Sequence, residues 1–371
     1  MAVDAQTVET YRTLFVPTAG GHDSVMTPRR ILVFQTAFLG DVILTLPMIQ
    51  VLKRNFPEAE IDVVTTPVAS TLLNNHPAIT HVIQYDKRKT QRGLSGIVSL
   101  ARKLRLLQYD VAIAPHRSFR TATVLALSGI PERIGFSNTS GKIFYNHIVE
   151  YVHSRHEIER NYALLIPLGI QVKQKEFPSL YPSLNDINTV NKFLFEREIV
   201  HQDRMIAIAP GSVWNTKRWL IERYAQLALL LAHDGHEILI IGGKEDAELG
   251  SAIVEATKHK QIHNATGRLT LLQSAELIGR CKVLVTNDSA PLHIGVAMRT
   301  PVVAIFGATV PEFGFGPYGA NDVVVETKGL SCRPCAIHGG KKCPIGTFEC
   351  MKKIEVETVY EKVKATLSKG K

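Results

Sequence analysis

The feature that most constrains this chain is a repeated unit: a short apolar run, a turn of small or polar residues, then a segment with helical apolar spacing. Its first copy spans residues 31–46, ILVFQTAFLGDVILTL. Residues 31–35 read as a strand buried on both faces of a parallel sheet. Residues 36–39 turn, and Gly40-Asp41 opens a helical pattern over 42–55. Strand, tight turn and helix put Asp41 at the carboxyl end of a strand beside a helix N-terminus, the edge where open α/β sheets bind ligands. A carboxylate there is a helix cap or a catalytic base, and this stretch alone leaves both open.

The unit recurs. Strands are expected over 61–65, 82–85 and 111–115, with helices over 68–74, 97–107 and 119–128. A helix over 151–168 leads to residues 177–183, where two prolines in a short polar stretch mark a boundary. After a helix over 185–198, strands follow at 205–209, 237–241, 282–286 and 301–306. Helices are expected over 221–233, 245–257, 271–280, 291–298 and 353–367. Such alternation means doubly wound parallel sheets. The chain therefore reads as α/β, two Rossmann-like domains facing across a cleft. The expected division is an extension over 1–28, a first domain over 29–183, a second over 184–350 and a terminal helix in 351–371.

Composition narrows the partners. Among 371 residues, 45% are hydrophobic and 21% charged, which excludes a disordered chain. A net charge of +9 calls for an anionic partner: nucleic acid, phosphosugar, nucleotide or membrane surface. Basic patches interleaved with aromatics are missing, so nucleic acid ranks low. No apolar run reaches the ~18 residues of a membrane span, and the acidic start lacks a secretory apolar stretch. A cytoplasmic protein is expected. Arg102, Lys103 and Arg105 on the 97–107 helix either touch an anionic membrane surface or form a solvated face. Four of five cysteines fall at Cys332, Cys335, Cys343 and Cys350. Metal binding, redox pairing and plain packing all fit that spacing.

The polar motifs sit just after strands. Gly211-Ser212 follows the 205–209 strand and continues to Lys217 and Arg218, suited to a phosphate. Asp288-Ser289-Ala290 starts a helix whose N–H groups attract a pyrophosphate. Asp288 there suits a sugar hydroxyl or a cap, and His293 lies one turn further on. After the 237–241 strand, Glu245 or Asp246 binds ribose hydroxyls or caps its helix. In the first half, Arg117 and Arg120 follow the 111–115 strand and suit a carboxylate or phosphate of a second substrate. Gly314-Phe-Gly316-Pro-Tyr-Gly319 matches a dinucleotide fingerprint but lacks its strand-to-helix setting. No D-x-D pair of the kind that holds a metal against a diphosphate is present in this reading.

Taken in order, Phe38–Val42, Arg117–Arg120, Pro210–Ser212 with Lys217-Arg218-Trp219, and Asn287–His293 resemble glycosyltransferase family nine, the heptosyltransferases of lipopolysaccharide. The resemblance implies a GT-B fold with the last helix crossing back to the first domain. It implies inverting, metal-independent, cofactor-free transfer of a heptose from ADP-heptose to the lipopolysaccharide inner core. Asp41 matches the family's base. Lys217 matches the lysine at the donor diphosphate, and Asp288, Ser289 and His293 match the donor loop; Ala290 stands where some members have Gly. Arg117 and Arg120 then hold the anionic acceptor, Kdo-lipid A or its heptosylated form, with the second-heptose enzyme favoured and peripheral contact with the inner membrane expected. The alternatives are a GT-B enzyme using another nucleotide sugar and a non-enzymatic nucleotide- or nucleic-acid-binding module. A nicotinamide oxidoreductase lacks its fingerprint.

Overall fold

A computed structural model describes residues 27–369. The expected extension over 1–28 falls, except for residues 27 and 28, outside the described residues. The first half holds β1 (Arg30–Phe34), α1 (Leu39–Asn55), β2 (Glu60–Thr65), α2 (Pro67–Ser70), β3 (His81–Gln84), α3 (Gly93–Leu106), β4 (Val111–Ala114), α4 (Phe119–Ser128), β5 (Glu132–Phe136), β6 (His147–Val149) and α5 (Glu157–Ala163). The second holds α6 (Leu184–Glu196), β7 (Met205–Ala209), α7 (Ile221–His233), β8 (Glu237–Ile240), α8 (Ala247–Thr257), β9 (Ile262–Asn264), α9 (Leu271–Arg280), β10 (Val283–Asn287), α10 (Ala290–Ala297), β11 (Val302–Phe306), β12 (Val323–Glu326), α11 (Glu349–Lys352) and α12 (Val356–Lys369).

Each half builds one six-stranded sheet, ordered β3-β2-β1-β4-β5-β6 and β12-β11-β10-β7-β8-β9. Every strand pair is parallel. Both orders run outward in opposite directions from a central pair, β1 with β4 and β7 with β10, which makes each pair a topological switch point. Four of the motifs therefore converge: Asp41 follows β1, Arg117 follows β4, Ser212 follows β7 and Asp288 follows β10.

The two halves share apolar packing. One continuous buried cluster runs from Ile31 and Val33 of β1, through Ile43 and Leu46 of α1, to Leu292 of α10 and Ala207 of β7. The proline-containing stretch joining the halves is held on α1, where Gln50 donates to Phe177 O at 3.0 Å and accepts from Ser179 N at 3.1 Å. The last helix departs from expectation. Val359 and Val363 of α12 are buried with Tyr224 and Leu227 of α7 and Val303 of β11, so α12 packs on the second sheet rather than crossing to the first. Its apolar face is consumed by that contact. The helix expected over 151–168 begins only at Glu157. Residues 153–155 turn instead, and the His156 ring then caps the helix by accepting the Ile158 N–H at 3.3 Å.

Candidate active site

A cleft of about 880 Å³, open to solvent, lies between the carboxyl edges of the two sheets. Phe38, Leu39, Gly40 and Asp41 line it from the first half; Ser212, Trp214, Lys217, Asp288, Ser289, Ala290 and His293 line it from the second. Val310, Phe313, Phe315, Ile337 and His338 supply a further, largely apolar wall.

Asp41 is the third residue of α1, and its carboxylate accepts the Phe38 N–H at 3.0 Å. It therefore caps the helix and lines the cleft at once. Burial, with the Glu157 carboxylate as the next cause, pushes its pKa up to about 7, while the Phe38 N–H and the Arg117 charge pull it down. Glu157 is held by Arg160 Nη1 at 2.7 Å and by the Tyr151 hydroxyl at 3.0 Å. Arg160 also donates to Phe313 O at 2.9 Å, tying the first half to the cleft wall. The loop over 314–319 completes that tie: Gly314 O accepts the Glu157 N–H at 2.8 Å and Gly316 O accepts from His156 Nε2 at 3.0 Å. The fingerprint-like glycines thus serve an inter-half contact.

On the opposite wall Lys217 pairs with Asp288 at 2.6 Å, and Thr309 Oγ1 donates to the same carboxylate oxygen at 2.6 Å. Asp288, expected to meet a sugar hydroxyl or to cap its helix, makes this pairing through one carboxylate oxygen. The start of α10, Ser289-Ala290, lines the cleft with no side-chain cap of its own. The Asn287 side chain donates to Pro210 O at 2.8 Å and accepts from Trp219 N at 3.0 Å, which locks the loops after β7 and β10 together. His293 is buried against Gly40, and burial lowers its pKa to about 4.

Other expected site residues stand further out. Gly211, Glu245, Asp246, Arg117 and Arg120 are not among the residues lining the cleft. Asp246 folds under the loop, accepting the Gly243 N–H at 3.0 Å and packing against Gly211, and burial raises its pKa. Glu245 is exposed. Arg120 is engaged with the Tyr85 hydroxyl at 3.1 Å and Gln91 O at 3.3 Å, whereas Arg117 lies over the Tyr151 ring, within electrostatic reach of Asp41. All five cysteines are free thiols, and among the described residues no three metal-ligating side chains converge.

The family model for glycosyltransferase family 9 (heptosyltransferase) matches residues 97–344. The chain belongs to this family. As a family 9 glycosyltransferase it is similar to lipopolysaccharide heptosyltransferase 2 of Escherichia coli K12, at 29% identity over 76% of this chain and 84% of that protein. Campylobacter jejuni lipooligosaccharide heptosyltransferase 2 is 25% identical over 90% of this chain and 98% of its own length. Among solved structures, a family 9 glycosyltransferase of Veillonella parvula superposes with a TM-score of 0.83 at 27% identity, covering 92% of this chain and 98% of that one. E. coli ADP-heptose lipopolysaccharide heptosyltransferase II superposes with a TM-score of 0.76 at 26% identity, covering 92% and 99%. Family membership makes the chain a glycosyltransferase with the GT-B fold.

Proposed function

We propose that this glycosyltransferase moves L-glycero-D-manno-heptose from ADP-heptose to the inner core of lipopolysaccharide, with inversion and without a metal ion, in the cytoplasm. The observation that carries the reading is that Asp41 and Lys217 line one cleft from opposite halves, with the uncapped start of α10 beside the lysine. Asp41 takes the proton from an acceptor hydroxyl. That oxygen bonds to the anomeric carbon as the bond to the diphosphate oxygen breaks, and the electron pair leaves with ADP. A base with a pKa near the working pH combines ionised population with driving force. Lys217 and the α10 N-terminus offset the charge on the leaving diphosphate, which makes a metal ion unnecessary. Similarity to the heptosyltransferase 2 relatives favours an acceptor that already carries one heptose. Arg117 holds its anionic groups.

The test is a transfer assay with ADP-heptose against defined truncated cores, with and without a chelator, and with the product anomer read by NMR. Transfer with inversion, unaffected by the chelator, is expected. Titration calorimetry supplies the second arm: tighter binding of UDP than of ADP would sink the heptose reading.

The acceptor's lipid anchor implies a bilayer beside the cleft. Leu94, Phe119 and Ile143 are 79%, 56% and 81% exposed. They cluster where Arg120 ties α4 to Gly93 O at 3.4 Å and Phe119 meets Phe144 at 5.9 Å. Exposed Arg88, Lys89, Arg92 and Lys142 lie close by in sequence, before Leu94 and beside Ile143. Apolar side chains flanked by cations suit an anionic membrane surface. Among the described residues no helix is long and apolar enough to cross a membrane. Co-sedimentation with phosphatidylglycerol vesicles, lost in Leu94→Asp/Ile143→Asp and weak with phosphatidylcholine, is expected.

A further inference from the structure

Residues 328–348, the cysteine-containing stretch, run from β12 to α11 without helix or strand and form one wall of the cleft. Both flanks are anchored on the second half. At one, Arg333 donates to Gly307 O at 2.6 Å, Thr309 O at 2.7 Å and Glu326 at 2.6 Å, while Cys335 N donates to Ala308 O at 2.9 Å. At the other, Gly340 N donates to Thr216 Oγ1 at 2.7 Å, and Thr216 N donates back to Gly340 O at 3.0 Å. Gly339 has φ 82° and passes so close to Lys217 that a Cβ there would lie 3.1 Å from Cγ. A side chain at this position meets both backbone strain and the lysine stem.

Between the anchors Ile337 and His338 enter the cleft wall. The His338 ring lies 5.7 Å, centroid to centroid, from Phe38, whose N–H is held by Asp41. The stretch therefore reaches from the second half to Phe38 of the first, and His338 shares the cleft lining with Asp41 and Lys217, within electrostatic reach of the lysine. Burial, then Lys217 and Arg117, lower its pKa, which favours the neutral imidazole. A neutral ring with one donor and one acceptor nitrogen matches a hydroxyl-bearing group; the diphosphate already has a lysine and a helix start. In the transfer reaction the segment between acceptor base and diphosphate is the migrating sugar.

We propose that His338 positions the transferred sugar of the donor, by hydrogen bonding to its hydroxyl groups, and so selects the donor by its sugar rather than by its nucleotide. This rests on the glycosyl-transfer reading given above. The deciding comparison is calorimetric: ADP and ADP-heptose titrated into wild type, His338→Ala and His338→Asn, with KM and kcat for transfer. Loss of one neutral hydrogen bond is worth about 2- to 10-fold. ADP-heptose affinity should fall by that factor in His338→Ala, with ADP affinity within about twofold of wild type and partial recovery in His338→Asn. Melting temperature should not move, because the ring is exposed to the cleft. Equal loss of ADP and ADP-heptose, or no loss of either, overturns the proposal. Failure of wild type to bind ADP-heptose is a separate result that counts against the heptose reading. In that case the same comparison, made with the nucleotide sugar the enzyme does accept and its nucleoside diphosphate, decides the role of His338.

Discussion

The imidazole of His293 packs directly on the Cα of Gly40: a Cβ built there would lie 2.6 Å from Cδ2 and 3.1 Å from Nε2. This contact joins the first turn of α1 to the first turn of α10, the two helix starts that carry Asp41 and Ser289. Gly40→Ala must push the halves apart at the cleft. Overpacking of this kind costs about 1–3 kcal/mol, and transfer activity should fall by more than the stability does, because helix starts on both sides of the reaction shift. A double-mutant cycle on urea stability checks the cause. Gly40→Ala/His293→Ala should be less destabilised than the sum of the single variants; strict additivity would remove the contact as the explanation.

Asp41 gives a pH prediction. Its carboxyl is held at about 7, chiefly by burial. As a base it works only when ionised, so kcat/KM should rise with pH through about 7 and then level off. Arg117→Ala removes a charge that favours the carboxylate and should move this limb to higher pH. Asp41→Asn should nearly abolish turnover and leave ADP affinity unchanged. Stability carries the opposite sign. A carboxyl raised above its unfolded value stabilises the fold at low pH and costs stability as pH rises through about 7. Asp41→Asn should therefore melt higher than wild type at pH 8, by the equivalent of roughly 1–2 kcal/mol. Wild-type turnover in the variant, or an unshifted limb in Arg117→Ala, would remove the base assignment.

Much of this is legible in the residues, for physical reasons. Central strands such as Val111–Ala114 and Val302–Phe306 are fully buried and read as apolar runs. β5, β6 and β9 escape such a reading because Glu132, His147 and His263 put polar side chains into strands of only three to five residues. Motifs at strand ends point to Asp41, Lys217 and Ser289, since topology alone brings such ends together. Local sequence carries no signal for pairing at a distance. The influence of Glu157 on Asp41, the Lys217–Asp288 pair and the arrival of His338 at the cleft all depend on packing between distant segments. The position of the terminal helix is equally hidden, because an amphipathic face does not say which sheet covers it.

Acid should loosen the molecule through its histidines. Burial holds His76, His116, His156 and His293 each at about 4. A histidine depressed below its unfolded value cannot take up the proton that the unfolded chain accepts. Stability is then present above about pH 6.5 and falls as pH drops towards 4, each such group adding about 1.4 kcal/mol per pH unit to the slope. His76 is the cleanest case: it is 3% exposed, its Nε2 has no partner, and its ring meets Tyr181 edge-on. His76→Phe should lose stability at pH 7, having given up the Ala78 N–H, yet show a shallower decline between pH 6.5 and 4.5 in thermal melts. An unchanged slope would show that His76 is protonated in the folded protein.

The Lys217–Asp288 pair allows stability and donor binding to be separated. Their side chains are 13% and 8% exposed, and the 2.6 Å contact leaves Asp288 balanced by the lysine and the Thr309 hydroxyl. Removing one partner of a buried pair leaves the other charge uncompensated, which costs about 3–5 kcal/mol when burial is complete and less here. Lys217→Ala should therefore melt lower and bind ADP more weakly. Lys217→Ala/Asp288→Asn removes both charges and should recover most of the lost stability, since a neutral amide still accepts from Thr309. Its ADP affinity should stay low, because the cation facing the diphosphate is still missing. Recovery of ADP binding in the double variant would show that Lys217 serves only to neutralise Asp288, and the charge stabilising the leaving group would then have to come from the start of α10.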